Sequence, residues 1–119
     1  MRLIKTTLLS LFILSAIISS SFAQEDIKIK KSDYQIDFKE VGFKEAWKNI
    51  KEGEKLYRAG LGTFPEALAH YLKAYKYNPD CASLNYKIGV CYLATDKFYY
   101  AAEYLEKAYL KDNNIASDI

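Results

Sequence analysis

From Phe43 onward the apolar positions recur at helical spacing. Phe43, Ala46, Trp47, Ile50 and Tyr57 fall at offsets 0, 3, 4, 7 and 14, one face of a helix. Gly60-Leu61-Gly62 breaks that pattern. Thr63-Phe64-Pro65-Glu66 then has the form of a capping box, in which Thr63 accepts from the Glu66 amide and Glu66 reaches back. Phe64, Ala67, Leu68, Tyr71, Leu72 and Tyr75 follow on one helical face until Asn78-Pro79-Asp80 stops the run. A third helix carries Leu84, Ile88, Cys91 and Tyr92. After a turn near Thr95-Asp96-Lys97, a fourth carries Phe98, Ala101, Ala102, Leu105 and Tyr109. Short turns between successive helices make antiparallel neighbours, so the pattern predicts a helix–turn–helix unit, twice.

The segment before Phe43 behaves differently. Arg2 and Lys5 precede an apolar run from about Leu8 to Ile18, and Ser21-Phe22-Ala23 supplies small residues at a cut that leaves Gln24 first. This order marks residues 1–23 as a secretory signal. The run is interrupted by Ser10 and Ser15 and falls short of the roughly 20 apolar residues a spanning helix needs. No transmembrane helix is therefore expected after cleavage. Residues 24–42 mix charges with Ile27, Ile29, Tyr34, Ile36 and Phe38 and offer no second strand to pair with, which predicts a flexible lead-in.

The two predicted hairpins are related by a step of 34 residues: Phe64 maps to Phe98, Ala67 to Ala101, Tyr71 to Leu105, Ala74 to Ala108 and Tyr75 to Tyr109. Asn78 maps to Asp112, both residues of turns and helix ends. Ala67 and Ala101 fall where the two helices of a hairpin approach closely, so a larger side chain would push them apart. Together with Ile88-Gly89 and Tyr92, these positions resemble the tetratricopeptide repeat. The resemblance covers residues 43–113, departs from the family at Asn85 and Asn113, and needs one or two extra residues in the Gly60–Gly62 turn. It implies an all-α fold of antiparallel helix–turn–helix repeats stacked as a short right-handed superhelix. The first helix of each hairpin would then line a concave protein-binding groove. On that basis Ile50, Glu54, Tyr57 and Arg58 are groove candidates in the first unit, and Tyr86, Val90 and Leu93 in the second.

The run Ala82–Leu93, followed by Ala102–Ala108, is similar to the N-terminal repeats of exported Bacteroidetes envelope proteins. Those repeats precede a β-propeller and an OmpA-type domain, and some members serve type IX secretion or gliding. That likeness implies export to the periplasm or the periphery of the outer membrane. Residues 114–119 look like the opening of a third repeat, truncated here.

Charge narrows the function classes. The 17 basic and 15 acidic residues become 15 and 15 once Arg2 and Lys5 leave with the signal. A neutral chain has no electrostatic footprint for nucleic acid or an anionic membrane. Cys81 precedes a predicted helix and Cys91 lies inside it, ten residues on and about 15 Å away, too far for a bridge. They fit small packing positions.

His70 is the sole histidine. Its neighbours at helical spacing, Glu66, Lys73 and Ala74, make no metal set, so it fits a surface or packing residue. No Cys-x-x-Cys, phosphate loop or His-Glu-x-x-His motif occurs. No cofactor, metal or enzymatic activity is expected. Tyr71, Tyr75, Tyr92 and Tyr109 sit at core spacing. Tyr86, Tyr99, Tyr100 and Tyr104 are left for a groove or an uncovered end. The expected partner is a protein or peptide, with self-association through the Tyr100–Leu105 end as the rival outcome for two units lacking an evident cap.

Overall fold

In the computed structural model, residues 27–115 are described. The signal expected over 1–23 and the last four residues lie outside that range. Among the described residues all regular structure is helical: α1 (Lys31–Tyr34), α2 (Phe43–Arg58), a 3-10 turn (Leu61–Thr63), α3 (Phe64–Tyr75), α4 (Ala82–Ala94) and α5 (Phe98–Lys111). Helix α2 packs against α3, α3 against α4, and α4 against α5, so the two hairpins stack in chain order.

The core runs along the seams between these helices and contains Ala46, Ile50, Phe64, Ala67, Tyr71, Ala74, Leu84, Ile88 and Cys91. Close approach within each hairpin rests on one glycine. A Cβ on Gly53 would lie 2.6 Å from Tyr71 Cε1, and one on Gly89 would lie 2.6 Å from Leu105 Cγ. Ala67 and Ala101, 0% and 1% exposed, are the small residues opposite, as their spacing predicts. Tyr71 and Leu105 are 34 residues apart, whereas Gly53 and Gly89 are 36 apart. The difference lies in the connections: five residues, 59–63, join α2 to α3, and three, 95–97, join α4 to α5. The two extra residues that the repeat register requires therefore sit in the Gly60–Thr63 turn. There Gly60 takes φ 120°, a conformation side chains disfavour.

Three expectations are corrected. Thr63 does not cap α3; its hydroxyl donates to the carbonyls of Leu56 (2.5 Å) and Gly60 (2.9 Å), stapling the end of α2 to the 3-10 turn. Tyr109 is not a core residue but is 52% exposed, and Phe98 is 61% exposed, because among the described residues no element covers that side of α5. The described part of the lead-in is packed. Ile29 and Tyr34 are 2% and 0% exposed. The Tyr34 hydroxyl donates to Ala74 O (2.7 Å), and Asn78 Nδ2 donates to Tyr34 O (2.8 Å). Alternating apolar residues here reach into a cleft between helices instead of joining a sheet, a contact that no local period can announce.

Candidate functional site

Helix α4 is buried on nearly all sides over Ser83–Gly89, which is why its composition carries little amphipathic contrast. Its one charge, Lys87, has no acidic neighbour three or four residues away, so its partner must come from another helix. Lys87 Nζ lies 3.3 Å from Glu54 Oε1 of α2, with side-chain exposures of 0% and 9%. The same carboxylate oxygen accepts a 2.6 Å hydrogen bond from the Tyr71 hydroxyl of α3. The ammonium also sits 4.0 Å from the ring centroid of Tyr57, and Tyr57 stacks on Phe64 at 4.5 Å. One polar cluster thus joins the first helix of each hairpin to α3. Burial, then the Glu54 charge, pushes the Tyr71 hydroxyl far above its ordinary range, so it remains a donor at any physiological pH.

This cluster changes the reading of the groove. Glu54 and Ile50 share a helical face, but that face turns inward: Ile50 is 1% and Glu54 7% exposed. Tyr86 is also buried, at 3%. Spacing on a helix selects a face but cannot say whether a neighbouring helix covers it. Tyr57 and Val90 are half-buried, while Arg58 and Leu93 reach solvent. Arg58 Nε donates back to Glu54 O (3.3 Å), which orients its guanidinium along α2. The accessible part of the candidate groove is therefore its end near the α2–α3 and α4–α5 turns, held by Tyr57, Arg58, Val90 and Leu93.

A second surface was only partly legible in the sequence. Tyr99 is 83%, Leu110 75% and Tyr100 50% exposed, and with Phe98 and Tyr109 they leave α5 apolar toward solvent. On its flank, Tyr104 stacks on Tyr92 (5.6 Å) and meets Tyr75 edge-on (5.5 Å), while Tyr92 stacks on Tyr100 (5.4 Å). Lys107 Nζ donates to the Tyr75 hydroxyl (2.6 Å). The half-buried Tyr75, Tyr92 and Tyr104 thus form a ladder between hairpins that ends on the exposed Tyr100 and Tyr99.

The remaining chemistry is structural. His70 Nδ1 lies 3.0 Å from Asn49 Oδ1, and Asn49 Nδ2 donates to Glu45 O. That orients the amide so that its oxygen accepts and His70 Nδ1 carries the proton. Cys81 and Cys91 are buried free thiols, and burial pushes Cys91 up to about 12. Among the described residues no group of three or more His, Cys, Asp or Glu side chains is placed to hold a metal ion. No helix among them is long and apolar enough to cross a membrane. The surface concavities are open, as in the one bounded by Glu40, Gly42, Lys44, Glu45, Lys48 and Lys51. Comparison with protein-family models, with curated proteins and with solved structures returned no match.

Proposed function

We propose that the stacked hairpins are a non-catalytic protein-interaction scaffold of tetratricopeptide type, exported to the cell envelope, with recognition by packing and hydrogen bonding. The observation that carries this reading is the concentration of solvent-facing apolar and aromatic side chains on the second hairpin: Leu93, Phe98, Tyr99, Tyr109 and Leu110. Isolated exposed apolar residues need no explanation, but their concentration on one hairpin supports an interaction surface. Tyrosine supplies large contact area with few rotors to immobilise, and Arg58 adds a donor fork at the groove end. The 34-residue step and the close glycine contacts, Gly53 with Tyr71 and Gly89 with Leu105, support the repeat type. Affinity capture with residues 24–119 tests the reading. A discrete protein retained by the native chain and lost with the pair Arg58→Ala and Leu93→Ala is the expected result. Retention unchanged by that pair, and by Tyr99→Ser with Leu110→Ser, would refute it.

The uncovered side of α5 favours a second reading, a structural spacer whose open end docks onto another component of an envelope-anchored assembly or onto a second copy. Concentration-dependent mass in sedimentation, abolished by Leu110→Ser, would favour this reading over groove recognition.

A further inference from the structure

The cleft at the base of the first hairpin holds a segment of the chain as a bound peptide is held. Its floor and walls come from three places: Phe43 and Trp47 on the first turns of α2, Ala74 at the end of α3, and Tyr77 with Asn78 in the turn before α4. Tyr34 enters the aromatic wall, with ring centroids 5.2 Å from Tyr77, 6.0 Å from Trp47 and 6.3 Å from Phe43. Backbone groups are read at Tyr34 and after it. Asn78 Nδ2 donates to Tyr34 O, Ile36 N donates to the Tyr77 hydroxyl (3.1 Å), and that hydroxyl donates to Lys39 O (2.8 Å). The Lys39 ammonium returns to Tyr77 O (2.9 Å) and lies 5.1 Å from the Tyr77 ring centroid.

Two features separate this segment from the body it sits on. Its hydrogen bonds to the body named above all run to Ala74, Tyr77 and Asn78, while its other backbone bonds close its own turns. The link to α2, residues 40–42, is exposed, with Val41 at 89%. It ends on Gly42 at φ 86°, a conformation in which glycine gives the chain freedom to turn.

We propose that this cleft is a peptide-binding site for tyrosine-bearing segments, with residues 29–39, in which Tyr34 closes a single helical turn, as its resident, tethered ligand. The tyrosine is selected because the site offers both an aromatic wall and a buried acceptor, Ala74 O, for its hydroxyl. Main-chain reading of Tyr34 O by Asn78, and of Ile36 N and Lys39 O by Tyr77, makes a chain that leaves its helical turn at the tyrosine the second requirement, and Lys39 supplies a cation for a carbonyl and a ring face. A short tether holds the resident segment at an effective concentration on the order of millimolar, so a free peptide must compete against it. A partner carrying the same pattern would exchange with the resident segment and expose it.

The test uses the mature chain 24–119 and a fluorescent peptide of residues 27–40. The Tyr34→Ala chain, its own ligand weakened, is expected to bind the peptide at least tenfold more tightly than the native chain does. Adding Asn78→Ala to that chain, or replacing the tyrosine of the peptide by alanine, is expected to abolish binding. A second preparation carries a protease recognition sequence between Glu40 and Val41, is cut there, and is freed of the N-terminal piece; it is expected to bind the peptide as well. Should either preparation lose helix content, recovery of helical circular dichroism on adding the peptide supports the site. Absence of both binding and recovery, or equal binding of the alanine peptide, overturns it.

Discussion

Replacing Lys87 by methionine removes the ammonium that lies 3.3 Å from Glu54 while keeping most of the side-chain volume. In a site with 0% and 9% side-chain exposure, the loss does not return the carboxylate to water. It leaves Glu54 with the Tyr71 hydroxyl as a neutral donor in a region that solvates charge poorly. Breaking a buried pair from one side costs about 3–5 kcal/mol, and loss of the ammonium over the Tyr57 ring adds about 1–2 kcal/mol. A domain of this size has roughly 5–10 kcal/mol of stability in total, so Lys87→Met should be marginally folded. Glu54→Leu with Lys87→Met removes both charges together. By the same reasoning the double variant should lie within about 1 kcal/mol of the native chain, apart from the hydroxyl it strands on Tyr71. Urea denaturation followed by far-ultraviolet circular dichroism gives the stability of the native chain and of both variants. If Lys87→Met costs under about 1 kcal/mol, or if the double variant is worse than the single, the cluster is not the inter-hairpin lock described here.

Further outcomes follow from the same geometry. Gly89→Ala gains about 1 kcal/mol of helix propensity, but its methyl group meets Leu105 at 2.6 Å and Ala101 O at 3.3 Å, so net destabilisation of about 1–3 kcal/mol is expected by thermal melting. Gly53→Ala against Tyr71 should behave alike, whereas Gly62→Ala, with open space around it, should be neutral within about 0.5 kcal/mol. Tyr34→Phe removes one donor to the Ala74 carbonyl, which keeps the Tyr77 amide at 3.1 Å, and should cost about 0.5–1.5 kcal/mol in the same assay. Alkali should unfold the protein. Burial raises the Cys91 thiol to about 12 and the Tyr34 and Tyr71 hydroxyls upward, so the folded state keeps protons that the unfolded chain releases from about pH 8.5 for the thiol and about 10 for the phenols. Stability is then fully present below those unfolded values. It falls as pH rises through them, by about 1.4 kcal/mol per pH unit for each group titrating. Urea midpoints that stay level from pH 7 to 11 would contradict this.

Helices α2 to α5 were legible because their apolar residues repeat at helical period and their ends carry Gly, Pro and Asn, signals written within a dozen residues. The 34-residue step was legible for the same reason, through Ala67 and Ala101. What was not legible is whatever depends on contacts between distant segments. Tyr34 is bound by Ala74 and Asn78, some 40 residues on, and nothing near it distinguishes it from a tyrosine in a loop. Glu54 sits on the same face as Ile50, which spacing alone could place in a groove or in a core; only Lys87 from α4 decides between them. That lysine gave one usable signal, a lone charge in an otherwise apolar and neutral helix. Thr63 shows the opposite failure: a capping motif in sequence was overridden by a turn in which its hydroxyl finds two carbonyls.

Site-specific photo-crosslinking in the producing cell tests the scaffold reading most directly. A photoreactive residue at Leu93 or Tyr99 should give a discrete heavier adduct containing one other protein, while the same residue at Lys51, on the charged side of α2, should give none. Adducts equal at all three positions, or absent from Leu93 and Tyr99 alike, would contradict it.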